Sequence, residues 1–228
     1  PEDLGKMEQL VELDGYDTAI KQLPISINLL KNLRELYFTP YCGSRNRYII
    51  SFCSAIKPPG SICLLPASLS GLCSLTELVL QNCKLSDDAL PNDIGSLQSL
   101  QRLVLSGNNF HCLPASISRL STLEWLFLYD CTMLESIPDL PENLTWLHVS
   151  GCTSLERISN VSNVTTDLML WVTDCSKLVE IGGLDKLECT GKIRILAWDS
   201  ELSEYLKQSR CLEITRESRD FEFRGFFS

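Results

Sequence analysis

The clearest hydrophobic pattern in the chain runs from Leu100 to Leu123, LQRLVLSGNNFHCLPASISRLSTL. Its first part sets Leu100, Leu103 and Leu105 ahead of Asn108 and Phe110. Its second part sets Leu113-Pro114 ahead of Ile117, Leu120 and Leu123. Alternation with period two puts successive side chains on opposite faces of a strand, whereas the i, i+3 spacing belongs to a helical or 3-10 turn. Each half offers a single apolar stripe, so the segment closes no core alone and predicts stacking against copies of itself.

The copies are present. The same frame begins at Leu10, Leu33, Leu75, Leu100, Leu123, Leu144 and, in weaker form, Asp167. A small residue recurs after each strand frame: Cys83, Asn108, Cys131, Cys152 and Cys175. The starts at Leu75, Leu100, Leu123 and Leu144 are 25, 23 and 21 residues apart, the longest step carrying the extra Asp87-Asp88. That period and frame predict an α/β leucine-rich-repeat solenoid. A curved parallel sheet lies on the concave side, short helices and irregular turns lie on the convex side, and a small β-rich cap closes the C-terminus.

Taken in order, residues 1–183 read as the solenoid. Its first repeat is weakened by Gly15 at a strand-leucine position, with Thr18 in the inward slot. No polar cap precedes it, so upstream repeats are expected. The second repeat is interrupted at 39–64 by an insertion with Pro58-Pro59-Gly60, Arg45, Arg47 and Lys57 and no acidic residue. It reads either as a surface loop or as a partner-contacting loop. Residues 184–228 differ in kind: 192–197 alternates like a strand, 201–208 suits a short helix, and 211–214 and 221–223 are further alternating runs. They predict a cap, or the start of a following β module.

In this frame the leucines face inward, so the residues between them line the concave face. These are Glu12, Asp14 and Tyr16, then Glu35, Tyr37 and Thr39, then Glu77, Val79 and Gln81. Arg102, Val104 and Ser106 follow, then Trp125, Phe127 and Tyr129, then Trp146, His148 and Ser150, and finally Met169, Trp171 and Thr173. Carboxylates dominate the first half and aromatic rings the second. Exposed aromatic patches mark contact sites, with Trp and Tyr the usual anchors. The expected partner-binding residues are Trp125, Phe127, Tyr129, Trp146, His148, Met169 and Trp171, with Arg102 and Glu77 beside them. The competing reading has the tail folding back to cover these rings.

Composition narrows the partner. A net charge of −9 and a pI near 4.8 argue against phosphate backbones and anionic membranes, and no apolar run spans a bilayer. No nucleic acid, membrane, cofactor or metal partner is expected. Eleven cysteines would normally suggest a disulfide framework, but four of them occupy the inward slot, where a thiol replaces Asn in contacting turn backbone. Buried thiols suit a reducing compartment, so a cytoplasmic or nuclear location is expected. Three N-x-S/T triplets, at Asn143, Asn160 and Asn163, point towards secretion instead. The two histidines, His111 and His148, lack the partners of a nucleophilic or zinc site. There is no phosphate loop, so no enzyme activity is expected of this chain.

The segments ALPNDIGSLQSL, LSGNNFHCLPASI, IPDLPENL and GCTSLE closely resemble the C-terminal repeats of plant TIR-type nucleotide-binding leucine-rich-repeat disease-resistance proteins, over roughly Leu10 to Ile181. The resemblance implies the ligand-sensing part of an intracellular immune receptor. Its partners would be a pathogen effector or guarded host protein, and the parent's own nucleotide-binding module, held in autoinhibition until triggered. Nucleotide binding and NAD cleavage would reside elsewhere in such a parent. The tail lacks the Pro-Gly-Ser-x-Ile-Pro-x-Trp-Phe signature of that family's post-repeat domain. The alternative is a secreted leucine-rich-repeat inhibitor or receptor ectodomain.

Overall fold

The computed structural model describes residues 2–18, 20, 22–40, 65–184, 193–197 and 212–216. Among them, nine strands form one parallel sheet: β1 (Glu12–Thr18), β2 (Glu35–Pro40), β3 (Glu77–Leu80), β4 (Arg102–Val104), β5 (Trp125–Phe127), β7 (Trp146–His148), β9 (Leu168–Trp171), β11 (Ile193–Ala197) and β12 (Leu212–Arg216). They pair in spatial order with chain order, as a solenoid requires. The register aligns Leu13, Leu36, Leu78, Leu103, Leu126, Leu147, Leu170 and Ile195 in a single column. From Leu36 onwards every member of that column is fully buried. This is the inward face that the leucine frame predicts, and burying it repeat upon repeat is the main stabilising term.

The inward slot behaves as expected. The Nδ2 of Asn108 donates to the Leu80 and Leu105 carbonyls, at 2.8 and 2.7 Å, and its Oδ1 accepts from the Leu85 N–H at 3.0 Å. Each thiol donates to a carbonyl of the preceding repeat: Cys83 to Phe38, Cys131 to Leu105, Cys152 to Leu128 and Cys175 to Val149, at 3.0–3.4 Å. Burial pushes the Cys83 and Cys131 thiols up to about 12. In the first repeat the Thr18 hydroxyl donates to the Gly15 carbonyl. Gly15 is required there because the Phe38 ring of β2 fills the space where a Cβ would stand.

The return side carries the expected short helices and turns and adds a small second sheet. Early repeats do carry 3-10 turns, at Ile25–Leu29, Asp87–Ala89, Ile94–Ser96 and Ala115–Arg119. Pro24 and Pro114 stand immediately before two of them, in extended conformation, rather than inside the first turn. From the fifth repeat a second parallel sheet replaces the helices: β6 (Ser136–Ile137), β8 (Arg157–Ile158) and β10 (Glu180–Ile181). The segments are LESI, LERI and LVEI, each with Leu and Ile inward.

The strands expected at 192–197 and 211–214 are present as β11 and β12. Both continue the solenoid's own sheet in parallel, β11 against β9 and β12 against β11. The insertion beyond Pro40, the helix at 201–208 and the run at 221–223 lie outside the described residues.

Candidate functional site: the open face of the sheet

The outward positions form two rows. One aligns Glu12, Glu35, Glu77, Arg102, Trp125, Trp146, Met169 and Arg194. The other aligns Asp14, Tyr37, Val79, Val104, Phe127, His148 and Trp171. Neighbours along a row are about 4.8 Å apart, the spacing of hydrogen-bonded strands. Tyr129 stands just beyond β5, so all nine residues expected at a partner surface fall on this face.

The rings do not stand free side by side. Only Trp125, at 36%, is exposed; Phe127, Tyr129, Trp146, Met169 and Trp171 are half-buried, and His148 is buried at 9%. The cause is mutual packing. The imidazole of His148 stacks on Trp171 (centroids 5.3 Å, 30°), tilts against Tyr129 at 5.3 Å and meets Phe127 edge-on at 6.2 Å. Trp146 and Trp171 pack diagonally at 5.9 Å. Such pairs stabilise a sheet by cross-strand contact and hold the rings in one arrangement. Burial drops the His148 pKa to about 4, so at neutral pH it is an uncharged ring within the aromatic layer. The ring thus lies packed among its neighbours rather than standing free on the face.

Polar groups frame the patch. The Arg102 Nη1 pairs with the Glu77 Oε1 at 3.0 Å, while its guanidinium lies 5.3 Å from the Phe127 ring centroid. That geometry joins an ion pair to a cation–π contact and fixes the acidic end against the aromatic one. The Gln81 amide donates to the Tyr129 hydroxyl across 48 residues of sequence. Burial, and to a lesser extent Asp130, push the Tyr129 phenol up to about 12, so it is neutral. At the acidic end the Tyr37 hydroxyl donates to the Glu35 carboxylate at 2.6 Å. Burial first, then the Glu35 bond and Glu77, hold that phenol far above the usual tyrosine range.

Gln81 lies on the outward face by pattern, but its connection to Tyr129 is not legible there. It crosses repeats, and nothing local encodes it. On the return side, Asp87 accepts the backbone N–H groups of His111 and Cys112 at 2.6 and 3.1 Å and faces the His111 ring at 3.2 Å. Burial raises the Asp87 carboxyl, but the two N–H bonds and the histidine outweigh it and leave the pKa lowered. Burial and nearby carboxylates raise the Cys112 thiol, which opposes a nucleophilic role. Among the described residues no group of His, Cys, Asp and Glu is arranged to hold a metal, and no helix is long and apolar enough to cross a membrane.

Comparison with known proteins places this geometry. The Leucine Rich Repeat family model matches residues 74–97 and 99–120. TMV resistance protein N of Nicotiana glutinosa is 40% identical over 144 residues, which are 63% of this chain and 11% of that protein. Disease resistance-like protein DSC1 of Arabidopsis thaliana is 38% identical over 144 residues, 63% of this chain and 10% of that one. The chain thus spans about a tenth of the length of the curated relatives it matches. Among solved structures, the leucine-rich repeat domain of the type III effector XCV3220 (XopL) superposes with a TM-score of 0.62 at 19% identity, over 95% of this chain and 72% of that one. That likeness is one of fold alone. The chain is a leucine-rich-repeat solenoid whose repeats are similar to those of plant TIR-type nucleotide-binding disease-resistance proteins.

Proposed function

We propose that the chain is the ligand-sensing part of an intracellular plant immune receptor. Its open face binds a pathogen effector or a guarded host protein, and the bound state relieves an autoinhibitory contact with the parent's nucleotide-binding module. The observation that carries this reading is the in-register aromatic layer from Trp125 to Trp171, held rigid by its own packing. Pre-ordered aromatic side chains lose little entropy on binding, which is why they serve as anchors. Catalysis and nucleotide binding are assigned to other parts of such a receptor.

The reading is supported over a secreted one by two local facts. The inward thiols are buried and each donates to a backbone carbonyl of the preceding repeat. The Asn143 Nδ2, the atom an N-glycan would occupy, donates to the Ser121 carbonyl at 2.6 Å. Changing Trp125 and Trp146 to Ala in the full-length receptor, expressed with a candidate effector in leaf tissue, should abolish cell death while leaving protein abundance unchanged. Retained cell death would remove this face from recognition. Largely oxidised cysteines in the protein purified from plant tissue would favour the secreted alternative.

A further inference from the structure

The open face is divided by charge as well as by ring content. Glu12, Glu35 and Glu77 stand on three neighbouring strands in one row, and Asp14 adds a carboxylate in the next. Arg102 pairs with Glu77, whereas among the described residues no Lys or Arg forms an ion pair with Glu12 or Glu35. Like charges at strand spacing repel one another. Glu35 already draws a hydrogen bond from Tyr37, whose pKa is raised first by burial and then by Glu35 and Glu77. Val79 and Val104 then join this end to the Phe127 ring without a polar break.

Resting on the reading that this face is the partner surface, we propose that its occupant is an extended peptide segment lying across the strands. A cationic side chain sits at the Glu12–Glu35 end, and an aromatic or aliphatic anchor sits at Trp125–Trp146. From β2 to β5 is three strand steps, roughly 14 Å, which an extended peptide covers in about four residues. The anchor supplies affinity, because buried aromatic contacts dominate interfaces. The cation supplies selection and a salt-sensitive association rate, because partly exposed charges act through a screened field. Arg102 completes the division: fixed between Glu77 and Phe127, it marks where positive charge in the partner ceases to be favoured.

Two fluorescein-labelled synthetic peptides test this, one with Lys-Lys four residues before Trp-Leu and one with Glu-Glu in place of the lysines. Anisotropy titrations would use the 228-residue chain and its Glu12→Gln/Glu35→Gln and Trp125→Ala variants, with folding checked by circular dichroism. The basic peptide should bind about ten-fold or more tightly than the acidic one, and the preference should shrink with the glutamine pair and with added salt. Equal affinities, or a preference that survives Glu12→Gln/Glu35→Gln, overturn the proposal. If Trp125→Ala weakens binding while charge is irrelevant, the partner face stands and only the charge rule falls. If Trp125→Ala changes nothing, both fall. Binding of neither peptide also overturns it, and recovery after replacing residues 41–64 by a Gly-Ser linker would give the face to the chain's own basic stretch.

Discussion

The residue directly before each inward slot has positive φ in five repeats: Asn82 (57°), Gly107 (68°), Asp130 (58°), Gly151 (75°) and Asp174 (56°). Only Gly, Asn and Asp visit the left-handed region readily, so these dipeptides are as much a part of the repeat as its leucines. Their N–H groups also extend the sheet ladder past the strands, Asn82 to Ser106, Gly107 to Tyr129, Asp130 to Ser150 and Gly151 to Thr173. Gly107→Ala should therefore destabilise the chain by about 1–2 kcal/mol from backbone strain alone, with more from the crowded Asn82 side chain. Urea denaturation checks it, and an unchanged midpoint would contradict the turn geometry. His148 makes a second prediction at this scale. Its folded pKa of about 4 lies below the ordinary histidine value, so the unfolded chain binds the extra proton between pH 6.5 and 4. Stability is thus full above pH 6.5 and is lost on acidification, by up to about 3 kcal/mol since one pKa unit is about 1.4 kcal/mol. His148→Gln should flatten that part of a stability-versus-pH profile.

Between elements, the lengthened turn at Asp87–Ala89 is tied to the next repeat's return segment through the Asp87 carboxylate. Its side chain is 38% exposed, so solvent screens the charge and the worth of the tie is mostly its two backbone bonds. Asp87→Ala should cost about 1 kcal/mol, and Asp87→Asn less, measured by thermal unfolding. The folded Asp87 pKa is lowered, so this contribution is present above the ordinary aspartate range and fades as pH falls through it. The second sheet shows how far an element is legible in a repeat. Leu134, Leu155 and Leu178 each precede an inward isoleucine by three, which suits a helical turn and a short strand equally. What decides is the partner, because the Ser159 N–H finds the Ile137 carbonyl and the Gly182 N–H finds that of Ile158. Two-residue strands have no periodicity of their own to read.

Among the described residues one buried column runs from Leu36 to Ile195, each strand paired with its neighbours in the stack. A cavity there weakens two interfaces together. Leu126→Ala should cost about 2–5 kcal/mol. Trp125→Ala, one position away and outward, should cost about 1 kcal/mol or less. Parallel urea titrations followed by circular dichroism check the pair, and reversed magnitudes would invert the assignment of faces. That assignment fits the proposed function, in which the residues proposed for recognition are those whose loss leaves the spine intact.

The sequence by itself determined which positions of the frame face inward and that the strand runs at 192–197 and 211–214 exist, both of which follow from period two. Thr39, Ser106 and Thr173, read as lining the open face, are buried once the repeats stack. Gly15, read as a weakened leucine position, became intelligible only when the Phe38 ring was seen to occupy its space. The tertiary structure alone decided that His148 lies beneath Trp171 and Tyr129, that Gln81 reaches Tyr129, and that Arg102 divides its charge between Glu77 and Phe127. Those contacts join side chains from different repeats, some 19 to 48 residues apart in sequence, and depend on which rotamers the neighbouring strands leave open. A face is encoded locally by alternation; the surface it presents is settled only once its neighbours have packed against it.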